Sequence, residues 1–229
     1  MIQRLSINKI LRSALAVLMM GQMALGVPTV LAASGCFNVA GAEPANVDMN
    51  KVREAWLTWY NNVRAANGLK PFVYNDLLND TATNWSLYSK KKGSIDHKRA
   101  GQKSYYDYKK VGAWFAAKGV TFANTGGRSD YVENIGWDYY KCSAADCTDE
   151  LIASIKHTYS FIMGEKGKKY KPHYDSIMNK YYHVIGLGIA VDTVKKRYYL
   201  TVHYGTAVEE KQSMACGSAR ESAQVSHKF

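Results

Sequence analysis

The chain has 229 residues, 47% of them hydrophobic and 21% charged, and carries a formal charge of +11. That balance excludes a disordered polymer and supplies one ordinary domain; no internal repeat or low-complexity linker divides it. The basic excess suits anionic lipid, wall polymer or glycan as a partner.

Chain order begins with an export signal. Arg4, Lys9 and Arg12 precede an apolar stretch from Ala14 to Leu25 broken only by Gly21 and Gln22, and small residues follow at Val30-Leu31-Ala32-Ala33. Cleavage after Ala32 satisfies the small-x-small rule. Alternatively, Ala33-Ser34-Gly35-Cys36 resembles a bacterial lipoprotein cleavage box, with Ala33 where Leu is usual. As an uncleaved anchor the apolar run is short of the ~20 residues that span a bilayer. The expected division is a signal at 1–32, an extension at 33–48, a secreted domain at 49–208 and a polar tail at 209–229. Loss of Arg4, Lys9 and Arg12 with the leader lowers the formal charge from +11 to +8. Lysines alternate with tyrosines at 169–171 and 180–182, a pattern that stacks on nucleic acid, but an exported chain rarely meets that partner.

Val52, Trp56, Trp59 and Val63 recur at helical spacing, and Asn67-Gly68 ends the segment. Asn75 can cap a second helix whose Leu78, Ala82 and Trp85 share a face. A third is predicted over 105–118, with Val111, Trp114 and Phe115 inward and Gly119 ending it. Residues 131–140 read as a strand carrying Glu133. Residues 149–165 read as a helix burying Leu151, Ile152, Ile155, Tyr159 and Ile162, with His157 off that stripe. The domain closes on a hairpin of 184–191 and 197–204. In its first strand Ile185, Leu187, Ile189 and Val191 alternate with Gly186, Gly188 and Ala190, giving one bulky and one flat face. Such a strand suits helices packed on both sides of a sheet.

Four cysteines in an exported chain predict disulfides. Cys142 and Cys147 enclose a short polar loop, which leaves Cys36 and Cys216 to staple the termini. A lipidated Cys36 would instead leave Cys216 unpaired. Zinc binding by the Cys-x4-Cys pair lacks a second pair at ligand spacing.

The chemistry-bearing residues are scattered: His97, Glu133, Glu165 and His173. Two imidazoles and two carboxylates can converge on a divalent cation such as Zn²⁺. Glu133 can ligate directly or orient a histidine from behind. The four groups can also do no more than hydrogen-bond one another. A hydrolase would further need a general base and an oxyanion stabiliser, and no His-Glu-x-x-His or Gly-x-Ser-x-Gly run is present.

Taken in order, several pieces resemble one family. They are Val63-Arg64-Ala65-Ala66-Asn67-Gly68-Leu69-Lys70-Pro71, Trp85, His97, Glu133-Asn134-Ile135-Gly136, His173 with Ile177-Met178-Asn179, Ile185-Gly186-Leu187-Gly188 and Tyr198-Tyr199-Leu200-Thr201-Val202. Together, across about residues 52–205, they resemble the CAP superfamily of cysteine-rich secretory, antigen 5 and pathogenesis-related-1 proteins, in its bacterial secreted branch. The resemblance implies an α/β fold, a three-layer αβα sandwich with a central cleft, and a His/Glu/Glu/His tetrad that falls on His97, Glu133, Glu165 and His173. It also implies a binding module for a lipid, sterol or cell-surface ligand. A metal-dependent hydrolase and a surface protein acting through its basic exterior are the alternatives. Two departures stand out. Phe161 and Lys171-Pro172, with a basic stretch inserted between, replace the Trp and Ser-Pro of the bacterial pattern, which bears on Glu165. The His97-to-Glu133 interval is also long, much of it taken by the helix predicted over 105–118.

Overall fold

A computed structural model of the protein describes residues 43–124 and 129–208. The expected signal, Cys36 and Cys216, and with them the expected terminal disulfide, lie outside these residues.

The first helix, α1 (Met49–Ala65), starts where the Asp48 carboxylate accepts the N–H groups of Asn50 and Lys51. Val52, Trp56 and Tyr60 follow at four-residue intervals and are fully buried. This line replaces the predicted one in part. Tyr60 occupies the core, and Trp59, one step round the helix, lies half-buried with its ring 5.3 Å from that of Tyr159. Arg64 continues the buried line. Its guanidinium donates to the carbonyls of Lys70, Ile177, Asn179 and Tyr182 at 2.6–3.1 Å and lies over the Phe72 ring at 3.8 Å. Burial lowers its pKa to about 10, so it is still charged at neutral pH.

Four strands form a mixed sheet in the order β1 (Val73–Tyr74), β3 (Val184–Asp192), β4 (Arg197–Gly205), β2 (Tyr131–Tyr139). The β1–β3 pair is parallel and the others antiparallel. Helices α2 (Asp76–Lys92) and α3 (Tyr108–Ala117) cover one face. On the other lie α1, α4 (Thr148–Met163) and α5 (Pro172–Met178). The architecture is a three-layer αβα sandwich.

The flat face of β3 decides how close α2 can come. A Cβ on Gly186 would stand 2.0 Å from the Leu78 carbonyl carbon, and one on Gly188 would stand 2.0 Å from the Thr83 nitrogen. Helix backbone occupies the space that side chains would fill. The bulky face, Ile185, Leu187, Ile189 and Val191, joins the core beneath α1 and α4.

Two boundaries differ from the sequence expectation, and two short elements are added. Asp107 caps the Lys110 N–H at 3.1 Å, so α3 begins at Tyr108 and leaves Tyr105 and Tyr106 in the preceding loop. Helix α4 ends at Met163, which places Glu165 in a turn. The short α5 and β1 carry too few residues to show a hydrophobic period. Cys142 and Cys147 are joined as a disulfide beside the start of α4. Among the described residues no helix is long and apolar enough to cross a membrane.

Candidate ligand cleft

Strand β2 is the spine of the site because it is an edge strand, paired only with β4. Its successive residues face opposite layers. Glu133 faces α2 and α3, and the next residue, Asn134, faces α1 and α5. Each holds one histidine-bearing segment.

On the first face the Glu133 side chain is fully buried, and each of its oxygens takes two donors. Oε1 accepts from His97 Nδ1 at 2.8 Å and Arg99 Nη1 at 3.0 Å; Oε2 accepts from Arg99 Nη2 at 2.6 Å and His203 Nε2 at 2.8 Å. Burial by itself would raise the pKa of this carboxyl. The hydrogen bonds from His203 and His97 and the charge of Arg99 outweigh it and hold Glu133 well below the usual carboxylate range. Arg99 is clamped between two indoles, 3.4 Å from the Trp85 ring and 4.4 Å from that of Trp114. His203 is wholly buried, and its Nδ1 meets the Thr81 hydroxyl at 2.9 Å. Burial lowers its pKa in spite of Glu133, so it is neutral at pH 7, with its proton on Nε2 facing the Glu133 carboxylate; the Thr81 hydroxyl at Nδ1 also reaches the Leu78 carbonyl at 3.1 Å. Tyr105 and Tyr106 flank the His97 ring edge-on, with centroids at 5.1 and 5.3 Å. The Tyr106 hydroxyl is buried with no hydrogen-bond partner.

On the second face Asn134 donates to the His173 carbonyl at 3.1 Å and to the Tyr204 hydroxyl at 2.9 Å, and accepts from Ser176 Oγ at 3.2 Å. Glu165 turns back from the end of α4 toward the start of α5. Its Oε1 meets His173 Nδ1 at 2.6 Å, and its Oε2 accepts the N–H groups of His173 and Tyr174, both at 3.1 Å. It thereby serves as the missing cap of α5, since Lys171 supplies no side-chain cap. The inserted lysines of 166–171 lengthen the loop without displacing Glu165 from His173.

The structure therefore arranges the four sequence-predicted residues as two His–Glu pairs. Both imidazoles are held at Nδ1, and among the described residues neither Nε2 makes a hydrogen bond. Each oxygen of Glu133 accepts two hydrogen bonds, while Glu165 Oε1 accepts one and Oε2 two. No group of three or more His, Cys, Asp or Glu among the described residues is set to hold a metal. Each Nε2 keeps its lone pair, with the carboxylate behind the ring accepting at Nδ1 and fixing the tautomer. A groove of about 250 Å³ adjoins His173, lined on the sheet side by Ile135 to Asp138 and opposite by Ile95, His157, Phe161 and Ile162. Phe161 and Trp137 present exposed ring surface there, and the Phe161 ring lies 6.1 Å from that of His173.

Arg99, His203 and Thr81 complete the first pair, and sequence reasoning missed all three. The signal that would have found His203 is its register, directly across from Glu133 in the β2–β4 ladder. Asn134 belongs to the Glu-Asn-Ile-Gly run, but nothing in the sequence gives it a role.

The model of the cysteine-rich secretory protein family, CAP, matches residues 57–204. No curated protein matches the chain. Among solved structures it is similar to an outer surface protein of Borrelia burgdorferi, with 10% identity, a TM-score of 0.48, and coverage of 69% of this chain and 95% of that one. It is also similar to an extracellular SCP-domain protein of Bacillus anthracis, with 16% identity, a TM-score of 0.43, and coverage of 70% and 41%. The CAP domain of Enterococcal PrgA is 18% identical, with a TM-score of 0.47 and coverage of 69% and 62%. With the family model matched over residues 57–204, more than half of the chain, the chain belongs to the cysteine-rich secretory protein (CAP) family.

Proposed function

We propose that the chain is an exported binding module whose cleft takes its ligand at the Nε2 atoms of His97 and His173. The observation that carries this reading is their shared arrangement: each imidazole is fixed at Nδ1 by a buried carboxylate and leaves Nε2 unbonded. That is how metal-binding histidines are commonly supported from behind. A Zn²⁺ held there would supply a Lewis-acidic point for a ligand oxygen. The aromatic surface of Phe161 and Trp137 beside the groove suits an apolar body such as a lipid or sterol. Hydrolysis is less well served. A carboxylate acting as general base needs an oxygen within reach of a substrate proton, and every oxygen of Glu133 and Glu165 already accepts a hydrogen bond.

Calorimetry with Zn²⁺ alone tests the reading. His97→Ala and His173→Ala should each remove most of the affinity, with the double variant little worse than either single one, since both act on one site. Affinity should fall as pH drops through ~6.5, because protonation removes the imidazole lone pair. Glu165→Gln weakens its hold on the His173 ring, so a smaller loss is expected. Equal zinc affinity in the wild type and both histidine variants overturns the site. In that case binding to phosphatidylglycerol vesicles that is lost in high salt would favour the basic exterior as the working surface.

A further inference from the structure

The Glu133 carboxylate accepts four hydrogen bonds, and two of its three partners, Arg99 and His203, approach it from elements other than the His97 imidazole it holds. We propose that Arg99 and His203 are positioning residues that lock His97 in the Nδ1–H tautomer by fixing both oxygens of Glu133. The inference deepens the binding reading above and rests on it only for its consequence, since the tautomer is a property of the ligand-free protein.

The argument begins with the loop. His97 sits in the segment between α2 and α3, outside any helix or strand. Such a segment does not hold a ring orientation by itself. Arg99, two residues on, supplies the anchor. Its Nη1 donates to the His97 carbonyl at 3.1 Å and to Glu133 Oε1 at 3.0 Å, while Nη2 reaches Oε2 at 2.6 Å. Loop backbone and strand carboxylate are thus tied through one rigid fork. The indoles of Trp85 on α2 and Trp114 on α3 close over the guanidinium, so the fork belongs to the helical layer as much as to the loop. A lysine cannot reproduce this, because an ammonium has neither the planar fork nor the stacking face.

His203 fixes the other end. It projects from β4, directly across from Glu133, and donates to Oε2. The carboxylate at Nε2 places its proton there, and the Thr81 hydroxyl holds the other side of the ring at Nδ1, 2.9 Å away. With one oxygen shared by Arg99 and His203, the remaining capacity of Oε1 points at His97 Nδ1. An acceptor there demands a proton on Nδ1, which leaves Nε2 with its lone pair. Remove either anchor and the carboxylate pivots on the other. Oε1 then leaves the line of Nδ1, and His97 is free to move its proton to Nε2, where it blocks the lone pair.

Long-range ¹H–¹⁵N correlation spectra of the metal-free protein read the tautomer directly. Wild type should show His97 wholly as the Nδ1–H form. Arg99→Lys and His203→Leu should each show a mixture or the Nε2–H form, and zinc should bind about 10- to 100-fold more weakly, the usual cost of losing such supports. Ile155→Val, a core change beneath the other face, should leave His97 as in wild type although it lowers stability. If either main variant does not fold, Thr81→Val removes only the hydroxyl that orients His203 and carries the test at smaller amplitude. The proposal is overturned if His97 stays wholly Nδ1–H in the folded variants, or if the Ile155→Val control shifts it as much. A tautomer shift in a protein whose wild type binds no zinc would uphold the positioning and remove the binding reading.

Discussion

Gly188→Ala tests the close approach on which the helical layer over β3 depends. The new Cβ would lie 2.0 Å from the Thr83 nitrogen and 2.1 Å from the Ala82 carbonyl carbon, both helix backbone. Ordinary contact begins near 3.5 Å, so α2 must retreat by about 1.5 Å. Retreat strains the bonds that tie α2 to the sheet: Ser86 Oγ to the Gly188 carbonyl at 3.0 Å and to Thr201 at 2.9 Å, and the Leu187 N–H to Asn79 Oδ1 at 2.9 Å. Overpacking costs about 1–3 kcal/mol, and each buried bond lost costs about 1 kcal/mol more. If two of the three lengthen beyond reach, the total is about 3–5 kcal/mol, a large part of a domain's usual stability of roughly 5–15 kcal/mol. Urea unfolding followed by tryptophan fluorescence should then show the midpoint lowered by about 2 M. Gly167→Ala is the comparison, because Gly167 has positive φ but nothing within 4 Å; it should cost about 1–2 kcal/mol from backbone strain alone. A Gly188→Ala midpoint within about 0.5 M of wild type, at an unchanged slope, would refute the packing argument.

Arg64→Leu leaves four inward carbonyls without their donor, and should destabilise by about 3–5 kcal/mol in the same urea assay; a loss under about 1 kcal/mol would mean that water replaces the guanidinium. Acid should unfold the domain in two stages. His203, depressed below its free value by burial, costs stability as pH falls through ~6.5 because the unfolded chain takes up its proton first. Glu133, held low in the fold, adds a further loss as pH falls below ~4.3 and on through its folded value. In His203→Leu the loss that begins near ~6.5 should be smaller, which pH-dependent melting would show. Opening the Cys142–Cys147 bond by a double serine substitution should lower stability by only about 2 kcal/mol, since the bridge closes a short loop of sequence separation 5; a collapse of the whole fold would contradict that estimate.

Local chemistry determined much of this protein before any tertiary contact. Asp48 and Asn75 cap helices as their side chains dictate, Val52 and Trp56 fall on a buried line, and the alternation from Ile185 to Val191 makes a strand with one flat face. His97, Glu133, Glu165 and His173 stood out for their chemistry and their order along the chain. Pairing was another matter. Which carboxylate meets which imidazole depends on β2 lying beside β4 and on the turn that brings Glu165 back over α5, contacts between residues far apart in sequence. Arg99 and Thr81 look like surface residues in a string of letters, and His203 like an oddity in an apolar strand. Only the folded chain brings them to one carboxylate, because a buried charge must collect its partners from whatever elements surround it.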